Sequence, residues 1–237
     1  MLVVIPTFNE AENIQPMLSA LFLLPIEDLH VLIVDDNSPD GTGEIVEKLK
    51  KDNPGQIDVL HRIGKLGLGT AYISGFQYGL ANGYDLIGQM DADFSHPPEK
   101  LVELVAAVQN GIDLAIGSRY IEGGSLDKDW PLWRKFLSGF GNFYARSILN
   151  LPVKDVTGGF RVWNGKLLER MSLDKIRSNG YVFQVEMLYV AWKVGCNYQE
   201  IPFYFADRKI GKSKMSFKIQ AEAAINVWKL PGYHKDI

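Results

Sequence analysis

Short runs of consecutive apolar residues, separated by segments of helical period, set the pattern of the first half of the chain. Residues 2–5 form the first run, closed by Pro6, residues 31–34 and 114–117 repeat it, and residues 57–60 and 86–90 do so with one polar residue each, Asp58 and Gln89. Between the first two runs Ile14, Leu18, Leu21 and Phe22 recur at helical spacing, predicting a helix over 11–23 that Asn9 is placed to cap. Further helices are predicted near 42–51, 70–82 and 98–110, the middle one entered through a glycine-rich turn at 64–69. Strands that read as apolar runs instead of polar–apolar alternation, interleaved with helices, predict a parallel sheet covered on both faces. The second half is less regular. It predicts a long amphipathic helix over 130–149, shorter helices over 165–173 and 184–193, a strand over 198–205 and a last helix over 216–229. No repeat, low-complexity tract or linker interrupts the pattern, so a single domain over 1–237 is expected.

The polar residues that matter stand where the apolar runs stop. Pro6-Thr7-Phe8-Asn9-Glu10 follows the first strand, Asp35-Asp36-Asn37-Ser38 the second, Asp91-Ala92-Asp93 the fourth and Ser118-Arg119-Tyr120 the fifth. Each is also readable as an ordinary turn or helix cap. In a parallel sheet, however, these loops emerge on one edge, where α/β proteins bind ligands. Asp91 and Asp93, two apart on extended backbone, would point to the same side and offer hard oxygen ligands to Mg²⁺ or Mn²⁺. Asp36 and Glu10 suit ribose and base groups. Together they outline a nucleotide-sugar site.

Composition excludes more than it assigns. The chain is 46% hydrophobic with a net charge of −3, so nothing in its overall balance points to nucleic acid. Cys196 stands alone, which rules out an internal disulfide and fits a reducing compartment. No basic region with a cleavage site precedes the first strand, so no leader peptide is expected. The longest uncharged run, 66–84, carries five glycines with Thr70, Ser74, Gln77 and Asn82, and is not a membrane span.

Taken in order, eight motifs resemble those of the inverting GT-A glycosyltransferases of family 2, and within them the dolichol-phosphate (polyprenyl-phosphate) mannose synthases. They are Pro6-Thr7-Phe8-Asn9-Glu10, residues 34–42 (Val34-Asp35-Asp36 onward), Leu66-Gly67-Leu68-Gly69-Thr70-Ala71-Tyr72, Met90-Asp91-Ala92-Asp93-Phe94-Ser95-His96, Gly117-Ser118-Arg119-Tyr120, residues 155–161 (Asp155 to Arg161), Gly180-Tyr181-Val182-Phe183-Gln184, and Asp207-Arg208 with Gly211-Lys212-Ser213-Lys214. The resemblance runs from Val3 to about Lys218. It implies a GT-A, Rossmann-like α/β fold, a mostly parallel sheet with helices on both faces. It implies that Pro6, Phe8, Glu10, Val34 and Asp36 line a guanosine pocket, and that Asp91, Ala92 and Asp93 meet the donor diphosphate. Asp91 and Asp93 would hold Mg²⁺ or Mn²⁺, Arg208 and Lys214 would grip the diphosphate, and Asp93 and Arg119 would be catalytic. Arg119 would face the donor phosphates too, and Arg119, Arg134 and Ser138 would receive the acceptor phosphate. Two departures stand out: Phe8 replaces a common Tyr, and Ser95 stands where some relatives have a Gln ligand, leaving the metal shell to water or substrate oxygens.

The implied reaction moves mannose from GDP-mannose to a polyprenyl phosphate with inversion, giving a β-mannosyl phosphate lipid. The same residues leave glucose open as the sugar. A sugar-phosphate nucleotidyltransferase would carry a glycine-rich loop after its first strand, where Pro6–Glu10 stands instead; a non-catalytic binding protein would be marked by a missing carboxylate, and both are present. The segment 130–144 mixes Trp133, Phe136, Phe140, Phe143 and Tyr144 with Arg134 and Lys135, a composition suited to a membrane interface. The chain is therefore expected in the cytoplasm, peripheral at the cytoplasmic face of a membrane, with its C-terminal third facing the lipid and with room for a membrane-anchoring partner protein.

Overall fold

The computed structural model describes residues 1–180, 182–207 and 224–236. Alternating apolar runs and helices fold into β1 (Leu2–Thr7), α1 (Ala11–Phe22), β2 (His30–Asp35), α2 (Thr42–Asp52), β3 (Ile57–His61), α3 (Leu68–Ala81), β4 (Leu86–Gln89), α4 (Leu101–Gln109) and β5 (Leu114–Ser118). There follow β6 (Ser125–Leu126), α5 (Leu132–Leu149), β7 (Arg161–Asn164), α6 (Gly165–Arg170), α7 (Val182–Lys193), β8 (Tyr198–Pro202), β9 (Tyr204–Phe205) and α8 (Leu230–Tyr233). The seven-stranded sheet has the order β3-β2-β1-β4-β7-β5-β8. β1 pairs parallel with β2 and β4, β2 with β3, and β5 with β8, whereas β7 runs antiparallel to both β4 and β5.

β1, β2 and β5 are apolar along most of their length because both faces of the sheet are buried there. On β1, Leu2 and Val4 join the cluster that includes Tyr72 and Phe76 of α3, while Val3 and Ile5 join Ile14, Met17 and Leu104 on the other face. α3 sits very close to the sheet at Gly75, where an added Cβ would collide with the Val4 side chain.

Four expectations change. β7 was not foreseen: it has only four residues, two of them Arg161 and Asn164, and it is a strand because β4 and β5 flank it. The predicted strand over 198–205 divides, since β8 ends at Pro202 and β9 leaves to pair with β6. The long helix begins at Leu132, after Pro131, and Trp130 is buried ahead of it. Asn9 does not cap α1; it sits at φ 61°, and the Ala11 amide donates to Asp40 from the next loop at 3.0 Å. The helix predicted over 216–229 lies largely outside the described residues, as do Arg208 and Lys214.

α5 buries only Asn142, Ala145 and Leu149. Its opposite face leaves Leu132, Trp133, Phe136, Phe140 and Phe143 exposed, with Trp133 at 66% and Phe136 at 73%. Among the described residues no helix is long and apolar enough to cross a membrane.

Candidate active site

The loops after β1, β2, β4 and β5 leave the same edge of the sheet, as parallel pairing requires. Thr7 donates to Asp35 at 2.8 Å and ties the first two loops together. Ser38 donates to Asp35 through its amide at 3.0 Å and its hydroxyl at 2.6 Å, so Asp35 is spent on the loop itself. Asp36 is 5% exposed and pairs with Arg62 Nη1 at 2.9 Å while accepting the Gly67 amide at 3.1 Å. The Lys65 ammonium lies 4.2 Å from the centre of the Phe8 ring. The glycine-rich segment, expected only as a turn into a helix, thus packs against both Phe8 and Asp36. The Glu10 amide donates to Thr42 at 3.0 Å, and its carboxylate accepts from Asn13 at 2.8 Å. Val34 is fully buried in the core and paired in register with Pro6, so its side chain belongs to the sheet's packing.

β4 ends at Gln89, one residue short of the apolar run, and Asp91-Ala92-Asp93 lies in the turn beyond it rather than on extended backbone. The turn is shaped by Phe94 at φ 61° and by bonds to each carboxylate. Tyr72 Oη donates to Asp91 Oδ1 at 3.1 Å, and the Asp91 amide donates to His96 Nδ1 at 3.0 Å. His96 is stacked on Phe160, with centroids 5.1 Å apart, and burial lowers its pKa against the pull of Asp91 and Asp93. The ring is therefore neutral, as an acceptor at Nδ1 must be. Ser95 donates to Asp93 Oδ1 through its amide and its hydroxyl, so this residue orients a carboxylate instead of supplying a metal ligand. Ala92 is buried between the two. Among the described residues no third Asp, Glu, His or Cys joins them as a metal-holding group. Two carboxylates completed by substrate phosphate oxygens and water form the donor set that Mg²⁺ and Mn²⁺ accept, so the residues present fit such an ion.

Arg119 follows β5 and is gripped by a fully buried Asp155. Nε and Nη2 donate to the carboxylate at 2.7 Å each, Nη2 also reaches Thr157 at 2.9 Å, and the Arg119 amide donates at 2.9 Å. Burial opposes both charges, but each favours the other: the arginine pKa is raised and that of Asp155 is lowered. The Nη1 corner takes part in none of these bonds. The guanidinium also lies 5.3 Å from the Tyr120 ring and 5.2 Å from that of Phe205. Tyr120 and Ser138 hydroxyls are 2.6 Å apart. Arg134 lies 3.6 Å over the Trp130 ring and reaches Asp207 at 3.2 Å. Phe205 contacts both Trp130, at 5.6 Å, and His96, at 6.0 Å, so the rings run continuously from the Asp turn to Arg134. Arg119 and Arg134 are thereby joined through the Phe205 and Trp130 rings, and Ser138 joins Arg119 through Tyr120. Sequence reasoning missed Arg62, Tyr72 and Asp155 as parts of this site; the last two stand inside quoted motifs, whereas Arg62 carries no motif.

The glycosyl transferase family 2 model matches residues 2–172, which includes the Asp turn, Arg119 and Arg134. The chain belongs to that family. Glycosyl transferase family 2 relatives extend the likeness over nearly the whole chain. A polyprenol monophosphomannose synthase of Mycolicibacterium smegmatis is 42% identical, covering 98% of this chain and 87% of that protein. An undecaprenyl-phosphate mannosyltransferase of Micrococcus luteus is 43% identical over 95% of this chain and 91% of its own length. Among solved structures, glucosyl-3-phosphoglycerate synthase of Mycobacterium tuberculosis in complex with Mn²⁺, uridine-diphosphate and phosphoglyceric acid superposes with a TM-score of 0.68 at 16% identity, covering 98% of this chain and 77% of that one. A Pyrobaculum calidifontis mannosyltransferase in complex with GDP-Man and Mn²⁺ gives a TM-score of 0.58 at 16% identity, covering 99% and 72%. At this identity the structures speak for the fold, which is the GT-A glycosyltransferase fold.

Proposed function

We propose that this family 2 glycosyltransferase moves mannose from GDP-mannose to a dolichyl-type polyprenyl phosphate with inversion, yielding a β-mannosyl phosphate lipid. The observation that carries the reading is the ring contact sequence from the Asp91–Asp93 turn to Arg134 on α5, whose outward face is a stripe of exposed aromatics. A metal-and-diphosphate site and an anion site at a lipid-facing helix meet there. Two full-length relatives named for mannosyl transfer to polyprenyl phosphates support the sugar and the lipid class.

On this reading Pro6, Phe8, Glu10, Asp36 and the Val34 backbone receive the guanosine, and Asp91, Ala92 and Asp93 the diphosphate, joined by Arg208 and Lys214. Asp91 and Asp93 hold Mg²⁺ or Mn²⁺, whose charge offsets that of the departing diphosphate. Arg134 exchanges Asp207 for the acceptor phosphate, with Ser138 and the Nη1 corner of Arg119 beside it. A lipid monophosphate has a second pKa near 6 and is largely a dianion at neutral pH. It needs no general base, which suits a site whose buried histidine is neutral and already bonded to a backbone amide. The residues' task is then placement of the phosphate oxygen opposite the sugar–diphosphate bond, and that in-line displacement inverts the anomeric centre. The exposed face of α5 rests peripherally on the cytoplasmic face of a membrane.

The test is transfer of labelled sugar into an organic-extractable lipid by purified protein. GDP-mannose with polyprenyl phosphate should label the lipid, EDTA should abolish transfer and Mg²⁺ or Mn²⁺ should restore it. Asp93→Asn should lower turnover by about two orders of magnitude or more with little change in Tm. Labelling from UDP-glucose alone would overturn the donor assignment, and near-normal turnover in Asp93→Asn would overturn the metal assignment.

A further inference from the structure

α3 carries a polar group that packing does not require. Tyr72 is fully buried, stacked on Phe76 and, with rings 3° from parallel, on Phe183. Phenylalanine would fill the same space. The hydroxyl instead reaches out of this apolar stack to Asp91 Oδ1, 3.1 Å away.

The helix end that presents Tyr72 is held from several directions. Asn179 accepts the Gly69 amide at 3.0 Å through its backbone oxygen, and its side chain accepts the Thr70 amide and donates to Leu66 O. Arg62 reaches both Gly67 O and Thr70 Oγ1. Gly67, at φ 102°, permits this closeness, since an added Cβ would stand 2.6 Å from the Asn179 side chain. One braced segment therefore touches two carboxylates of the proposed donor site: the Gly67 amide holds Asp36 at 3.1 Å, and five residues on Tyr72 holds Asp91.

We propose that Tyr72 is a positioning residue for metal binding: its hydroxyl engages Oδ1 of Asp91, sets the rotation of the carboxylate and reserves Oδ2 for a divalent cation. The inference rests on the reading of Asp91 as a metal ligand. A ligand that is itself hydrogen-bonded loses less freedom on binding, and removal of such a partner commonly weakens metal affinity 10–100-fold.

The experiment compares Tyr72→Phe with Asp91→Asn, reading Mn²⁺ binding in the presence of GDP by electron paramagnetic resonance and GDP binding without metal by calorimetry. Tyr72→Phe should weaken Mn²⁺ about 10–100-fold, leave metal-free GDP affinity within about twofold and keep the folding transition. Asp91→Asn should weaken Mn²⁺ at least as much. If Asp91→Asn loses Mn²⁺ and Tyr72→Phe does not, the positioning role is wrong while the metal site stands. If neither loses it, the metal assignment fails and the role of Tyr72 fails with it. A Tyr72→Phe variant that loses metal-free GDP binding as severely as Mn²⁺ would show a structural role and overturn the proposal.

Discussion

Asp155 accepts three bonds from Arg119, one from its amide and two from the guanidinium, and is fully buried. Desolvation by itself would raise its pKa, and the adjacent guanidinium overrides this and lowers it. A depressed carboxylate contributes stability that is fully present above its unfolded pKa, near 3.9, and is lost as pH falls through the lower folded value. Asp155→Asn should therefore cost roughly 3–5 kcal/mol at neutral pH, as expected when one partner of a buried pair is removed. The gap from the parent should hold down to about pH 5 and narrow below about pH 4. Urea unfolding at pH 7, 5 and 3.5 checks this, and a gap independent of pH would remove Asp155 as its source. At this scale the sequence showed which residue types were present but not who held whom. Arg119 was expected to face phosphates, yet two of its nitrogens are engaged by a carboxylate 36 positions away. No local pattern encodes such a partner.

α5 shows what an element's pattern reveals once its surroundings are known. Apolar residues at helical spacing ordinarily mark a buried face, and on this helix Trp133, Phe136, Phe140 and Phe143 are exposed instead. Phe136 stacks on Phe140 and Phe140 on Tyr144, so the stripe is a continuous surface. Trp228 extends it, donating to the Tyr144 hydroxyl at 2.8 Å while 65% exposed. Burying an aromatic side chain is worth about 1.5–3 kcal/mol, or roughly tenfold or more in partitioning. Trp133→Ser with Phe136→Ser should accordingly reduce flotation with anionic liposomes by at least about tenfold each in the partition coefficient, and leave GDP binding unchanged. High salt should reduce the flotation of the parent protein, because exposed charges are screened. Flotation that survives both substitutions, or both salt and alkaline wash, would contradict a peripheral aromatic contact. β7 is the converse case. Four residues with Arg161 at their head have no strand signature, and Arg161 is buried because Gln184 O and Val156 O receive its guanidinium at 2.9 and 3.2 Å.

Across the whole molecule, the C-terminal segment is joined to the proposed donor side through a buried contact of His234 with Glu186, Nε2 to Oε1 at 2.7 Å. Glu186 also accepts the amides of Arg177 and Ser178, at 3.1 and 2.6 Å, and the next residue, Asn179, braces the glycine-rich segment that touches Asp36. His234→Ala leaves a buried carboxylate short of a donor, and thermal or urea unfolding should show a loss on the order of 3 kcal/mol. A loss below about 0.5 kcal/mol, the range of ordinary surface substitutions, would mean the contact is not a tie between the segment and the body. Such ties were beyond sequence reasoning, whereas the frame that supports them was legible. Mostly apolar runs without alternation are satisfied by a sheet buried on both sides, so β1 to β5, their helices and the shared edge of their loops followed from local pattern. The acidic and basic residues at those loops were found for the same reason: a charged residue that ends an apolar run is conspicuous in the chain. What required the folded molecule was every relation between residues far apart. The Asp pair takes its shape from a turn and from Tyr72 instead of from strand geometry, α1 is capped by Asp40 from another loop, and β7 exists only between its neighbours. Periodicity reports how one residue's environment repeats along the chain, while hydrogen bonds and ion pairs depend on distances that close only when the sheet has assembled.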